Sequence, residues 1–194
     1  MTVVRLQGAR LVVYSAIALD EPQMRELESL GKPSFLIVPN RLHRTDAFAW
    51  KTRYPELVVV APSGARKSIE EVVPVDTSSP EFDDDSVRFL EVPGTAAGES
   101  ALEVHEQGRL TLVLNDIVGN LPKRAGLVLR GLGFAGERPR VPRAVRRMFV
   151  KDASALRSQF ETWSAQPVER ILVSHGRPIL ADAQQVLRDL ATSL

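Results

Sequence analysis

The sequence holds 194 residues, 44% apolar and 25% charged, with 25 basic and 24 acidic side chains and a formal net charge of +1. So even a balance argues against a dedicated nucleic-acid binder, which carries a strong basic excess, and the length suits one domain, taken as residues 1–194. The lack of cysteine removes disulfides, thiolate zinc sites and cysteine nucleophiles together, so any metal must be held by His, Asp or Glu.

No apolar run approaches the ~18 residues of a membrane span. Arg5, Gln7 and Arg10 interrupt the first apolar stretch, so a signal peptide is not expected and a cytoplasmic location is. Val3, Val4 and Leu6 lead to a turn at Gly8, and Leu11–Tyr14 follows as a β-rich run; the pair reads as a hairpin. Asp20 stands where an N-cap belongs, Pro22 sits early in the helix, and Met24, Leu27 and Leu30 recur at helical spacing until Gly31 closes the helix. Phe35–Val38 and Leu57–Val60 are short continuous apolar runs of the kind buried on both faces, separated by a helix over 42–53 that Tyr54-Pro55 ends. This alternation implies parallel strands with crossover helices.

The polar, acidic stretch 74–86 reads as a surface loop. Val87–Val92, Ser100–His105 and Arg109–Leu114 read as strands, the last two joined by a tight turn at Glu106-Gln107-Gly108. Helices are predicted over 121–132, 141–149, 152–165 and 182–191, with a strand at Val168–Val173. About eight strands and five or six helices in this order suit a pair of mixed sheets covered by helices better than one parallel sheet.

Two of the three histidines, His43 and His175, lie just beyond buried-type strands, and Asp116 ends the run Leu112–Asp116 in the same way. Strand ends hold side chains on a rigid sheet at an open crevice. Two imidazoles and a carboxylate are a sound ligand set for zinc, or for iron with open positions. Spacing alone does not bring them together, and each is equally readable as a cap or turn residue. His105, flanked by Glu103 and Glu106, reads as a solvated strand-end residue. Arg138, Arg140, Arg143, Arg146 and Arg147 could bind phosphate or an acidic partner, or form a solvated helix face. Trp50 and Trp163 read as packing residues. Ser15 and Ser174 lack the surroundings of a nucleophile elbow.

Taken in order, these pieces resemble the metallo-β-lactamase superfamily over nearly the whole chain, and within it a divergent group that has lost most metal ligands. The landmarks are an early hairpin, a strand running into a His-x-His-x-Asp-His loop, a Pro-Gly-His turn, a strand ending in aspartate and a final Ser/Gly-His-Gly. Here they read as Pro39-Asn40-Arg41-Leu42-His43, Val92-Pro93-Gly94-Thr95, Leu112–Asp116 and Ser174-His175-Gly176. The divergent group shares Pro39, Asn40, His43, Trp50, Tyr54 and Pro55.

The resemblance implies a four-layer αββα sandwich of two mixed sheets with helices outside and a metal site along one edge. If His43 is the last histidine of the loop, Val38, Asn40 and Thr95 occupy the three histidine positions of the superfamily's first metal site, which is then absent. The second site keeps His43, Asp116 and His175, with Leu42 in place of its aspartate, or Asp46 as a substitute if the alignment slips. The implied function is a mononuclear metal-dependent hydrolase. One zinc (iron or manganese as alternatives) would activate water toward an ester, amide or phosphoryl group of a small-molecule substrate. Asp116 and His175 would be catalytic, with Asn40 and Thr95 beside the substrate. The alternative is a metal-free, non-catalytic binding or scaffold protein. Neither nucleic acid nor a membrane is expected as a partner.

Overall fold

The computed structural model describes residues 1–194. They divide into two compact units, Met1–Val87 and Arg88–Leu194, each built on its own mixed sheet. There are nine strands and seven α-helices.

In the first unit, β1 (Thr2–Arg5) and β2 (Arg10–Tyr14) form the expected antiparallel pair, with Gly8 at φ +70° in the connection. Helix α1 (Glu21–Leu30) starts at a reciprocal capping box: Asp20 accepts the Gln23 N–H while the Gln23 side chain accepts the Asp20 N–H. It ends at Gly31, where a Cβ would lie 2.1 Å from the Ala9 carbonyl oxygen, so the close approach of the chain requires glycine. β3 (Lys32–Ile37) and β4 (Val58–Val60) add in parallel, in the order β1-β2-β3-β4. Met24 and Leu27 of α1, with Ala47 and Trp50 of α2 (Ala47–Arg53), share one core with Leu11, Val13, Leu36 and Val59 of the sheet. Leu30 keeps the helical spacing but is 49% exposed.

The predicted helix over 42–53 is shorter than expected. Residues 41–46 are irregular and non-helical; Oδ1 of Asn40 accepts the N–H groups of Leu42 (2.8 Å) and His43 (3.2 Å) and holds the start of that stretch in a side-chain-capped turn. A short helix, α3 (Arg66–Ile69), follows β4.

The second sheet runs β5 (Val87–Glu91), β6 (Ser100–Glu106), β7 (Arg109–Pro122), β8 (Ala135–Gly136), with β9 (Val168–Gly176) on β7. β6 and β7 are a hairpin whose turn residues Gln107 and Gly108 both have positive φ, as a two-residue hairpin turn demands. β9 is parallel to β7. Leu110, Leu112 and Leu114 of β7 pack with Leu156, Phe160 and Trp163 of α6 (Ala153–Ser164) and with Leu187 and Leu190 of α7 (Ala183–Thr192).

Sequence reasoning ends β7 at Leu114 and places a helix over 121–132. The strand instead runs to Pro122, since Gly119 and Asn120 pair with β9 and Leu121 and Pro122 pair with β8. Tertiary pairing overrides the local pattern there, and the helix shrinks to α4 (Leu127–Gly131) after Gly126 at φ +106°. Helix α5 (Arg143–Phe149) follows. No helix is long and apolar enough to cross a membrane.

Candidate metal centre

Midway along β7 the pairing breaks. Leu114 pairs with Val173 and Gly119 pairs with His175, so Asn115–Val118 stand opposite Ser174 alone. A bulge of this kind bends a strand and re-aims its side chains. It carries Asp116, whose carboxylate is 2% exposed and whose Oδ1 lies 3.0 Å from Nε2 of His175. The bulge removes the Asp116 N–H from the ladder, and Oε1 of the fully buried Glu99 accepts it at 2.8 Å. A buried N–H needs such an acceptor. The adjacent Asn115 is also fully buried, and neither its Oδ1 nor its Nδ2 has a hydrogen-bond partner.

His175 occupies the next-to-last position of β9. The edge of the Phe134 ring packs on its imidazole, centroid to centroid 5.5 Å. Gly176 follows at φ +116°, where a Cβ would lie 2.2 Å from the Asn120 carbonyl oxygen. Only glycine lets β9 close on the end of β7 at that point. The His175 side chain is 40% exposed, so one face of the pair meets solvent.

In the first unit, His43 follows the Asn40 turn. Its Nδ1 lies 2.8 Å from Oγ of Ser15, just past the end of β2. Ser15 is buried and held at φ +57°, a conformation costly for a non-glycine residue and often found at functional positions. A bond at Nδ1 fixes the ring, a supporting contact of the kind that orients metal-binding imidazoles.

The remaining candidates are placed as follows. Asn40 is fully buried and caps its own turn. Thr95 is buried, with its hydroxyl donating to the Val92 carbonyl at 2.7 Å. His105 is exposed at the end of its strand. Trp50 and Trp163 are buried, donating through Nε1 to the Ile17 carbonyl (3.0 Å) and to Oε1 of Glu103 (2.7 Å). The arginine cluster is divided: the Arg146 guanidinium binds the carbonyls of Ser193 (3.2 Å) and Leu194 (2.7 Å). Sequence reasoning passed over Glu99 and Ser15 as supports. A lone glutamate at the mouth of the apolar strand Ser100–Val104 was the available signal for the first.

Solved structures resemble the chain over almost its whole length. The DIM-1 metallo-β-lactamase superposes with a TM-score of 0.64 at 11% identity, covering 98% of this chain and 85% of that one. The metallo-β-lactamase FIM-1 from Pseudomonas aeruginosa, in a mono-zinc form, gives 0.58 at 12% identity, covering 98% and 82%. The Flv1 flavodiiron core from Synechocystis gives 0.63 at 10% identity, covering 96% of this chain and 50% of that one.

The chain has the metallo-β-lactamase fold.

No family model matches the sequence, and no curated protein matches it. The metallo-β-lactamase fold is thus carried here by a sequence that shares little beyond the pattern of its elements. In the second unit, the β7 bulge and the end of β9 bring the side chains of Asp116 and His175 together.

Proposed function

We propose that the chain is a hydrolase-like protein of the metallo-β-lactamase fold that holds one divalent cation between His43, Asp116 and His175. Zinc is the first choice, with iron or manganese as alternatives, and the substrate is an ester, amide or phosphoryl compound. The carrying observation is the pair Asp116 and His175, whose Oδ1 and Nε2 lie 3.0 Å apart at the β7 bulge; His43 is the third donor that the resemblance assigns. Two imidazoles and a carboxylate suit zinc chemically and leave open positions. The mono-zinc form of FIM-1 supports a single-ion reading in this fold.

The residues around the donors fit such a site. Ser15, with its Oγ 2.8 Å from Nδ1, fixes the angle of the His43 ring. Glu99 pins the backbone of Asp116. Phe134 limits rotation of the His175 ring. Outer contacts of this kind are worth about 10–100-fold in metal affinity. A divalent ion there would lower the pKa of water toward ~7 and polarise the scissile carbonyl or phosphoryl oxygen. His175, 40% exposed beside a buried carboxylate, leaves one side of the pair open, and from that side water or substrate could approach.

Elemental analysis of the purified protein tests the reading. About one equivalent of metal is expected, lost on alanine substitution of His43, Asp116 and His175 and accompanied by loss of turnover of a generic ester or phosphodiester. No metal, or the same metal in the triple variant, overturns it.

The second reading, a metal-free binding protein, is favoured by one observation: the His43–Ser15 and His175–Asp116 contacts already pair these polar atoms without an ion. Stoichiometric metal with turnover excludes it.

A further inference from the structure

We propose that a cationic pocket where β7 and β9 end binds a phosphate-type dianion. Calling that anion part of the substrate rests on the hydrolase reading above; the pocket itself does not. The cavity has a volume of about 500 Å³ and lies where β7 and β9 end, bordered by Asn120, Lys123, Arg124, Gly136, Glu137 and Arg177. Pockets of this size hold small ligands. With Leu121 and Pro122 the lining comes to eight residues, of which three carry positive charge and one carries negative.

Glu137 forms an ion pair with Lys123, which leaves the guanidiniums of Arg124 and Arg177 without an anionic partner. The Arg140 guanidinium lies against Gly136 as well, so a Cβ at that glycine would collide with it. The carboxyl of Glu137 is held below its ordinary range by its bond to Lys123 and by the nearby charges of Arg138 and Arg140, which reports the positive sign of the local field. Two unpaired guanidiniums facing one cavity match the fork geometry that phosphate oxygens accept.

The pocket is held ready by the backbone. Arg177 donates its N–H to the Asn120 carbonyl at 3.2 Å, and Asn120 returns a bond from Nδ2 to the Arg177 carbonyl at 2.8 Å. This reciprocal pair anchors the stem of Arg177 two residues beyond His175, in register with the end of β7. An anion seated on Arg177 and Arg124 thereby meets an Arg177 backbone that is already ordered, with no further ordering cost there.

Such a dianion could belong to a soluble phosphate ester or to a lipid headgroup. The full chain as purified is titrated with inorganic phosphate and glycerol phosphate, and separately sedimented with phosphatidylcholine vesicles with and without phosphatidic acid. Saturable binding that weakens at least tenfold in the Arg124→Ala/Arg177→Ala double variant, and not in Arg130→Ala on α4, is expected. Arginine-dependent binding of the soluble anions marks a soluble ester; arginine-dependent retention by the acidic vesicles alone marks a lipid headgroup. Equal binding by wild type and double variant, or no saturable binding of either kind, overturns the proposal. The Asp116→Ala variant separates the two readings: it should lose metal yet bind the anion as wild type does. Anion binding in a protein that never contained metal would sink the hydrolase reading and leave the pocket standing.

Discussion

Glu99 and Asp116 are joined by one bond, from the Asp116 backbone N–H to Oε1 of Glu99 at 2.8 Å, between two residues with almost no exposed surface. The bulge of β7 creates the need for that bond, and Glu99 fixes where the Asp116 carboxylate points. Replacing Glu99 by alanine should destabilise the protein by about 1–3 kcal/mol, the cost of an unsatisfied buried donor, and lower metal affinity about 10–100-fold. Glu99→Gln keeps an acceptor oxygen and should be milder in both. Thermal unfolding and metal titration of the two variants check this.

Gly176 offers a separate test of the same region. An alanine there would meet the Asn120 carbonyl oxygen at 2.2 Å and would have to adopt φ +116°. The strain should cost about 1–3 kcal/mol and displace His175, the preceding residue. Gly176→Ala should therefore lower both the melting temperature and the metal content. Gly8→Ala, where a Cβ has open space, should cost less despite its φ of +70°.

Trp163 is fully buried and its indole N–H donates to Oε1 of Glu103, which is itself buried. Trp163→Phe keeps an aromatic ring in the core and removes the donor. Glu103 retains only a longer approach from Arg88 at 3.8 Å. The expected loss is about 2 kcal/mol, combining an unpaired buried carboxylate oxygen and a smaller ring. Chemical denaturation at neutral pH measures it.

Asp84 sets part of the acid limit of stability. Its carboxylate accepts the hydroxyl of Ser86 and the N–H groups of Ser86 and Gln7, the last at 2.7 Å. The Ser86 hydroxyl first, and then the Gln7 N–H, hold its carboxyl below the ordinary range. A lowered folded value means stabilisation that is fully present above the unfolded value of about 3.9 and is lost as pH falls through the folded value. Asp84→Asn should thus be less stable than wild type by about 1 kcal/mol at neutral pH. The two proteins should converge below pH ~4 in a series of denaturation curves.

Much of the fold was legible because its signals are local. The capping box at Asp20, the positive-φ turn at Gln107-Gly108 and the apolar runs Phe35–Val38 and Leu57–Val60 each carry their own structural instruction. The errors fall where distant partners decide. β7 outruns its apolar stretch because β8 and β9 supply hydrogen bonds to residues 119–122, and the helix expected there yields. Residues 42–46 look helical until the Asn40 side chain takes the amides of Leu42 and His43. For the centre, residue type and strand-end position pointed to His43, Asp116 and His175. The supports were not legible, because a single Glu99 or Ser15 has no periodicity and its purpose depends on which backbone group it meets.

The interruption of β7 has a wider consequence. Ile117 and Val118, two of the four residues on that detour, are buried in the same core as Leu110, Leu112 and Leu114. The detour is therefore moored to the leucine layer at one end, while its other end carries the polar side chains of Asn115 and Asp116. Scaffold and chemistry are coupled through Ile117 and Val118, and an exchange at the polar end is tolerated only as far as those two anchors hold their places.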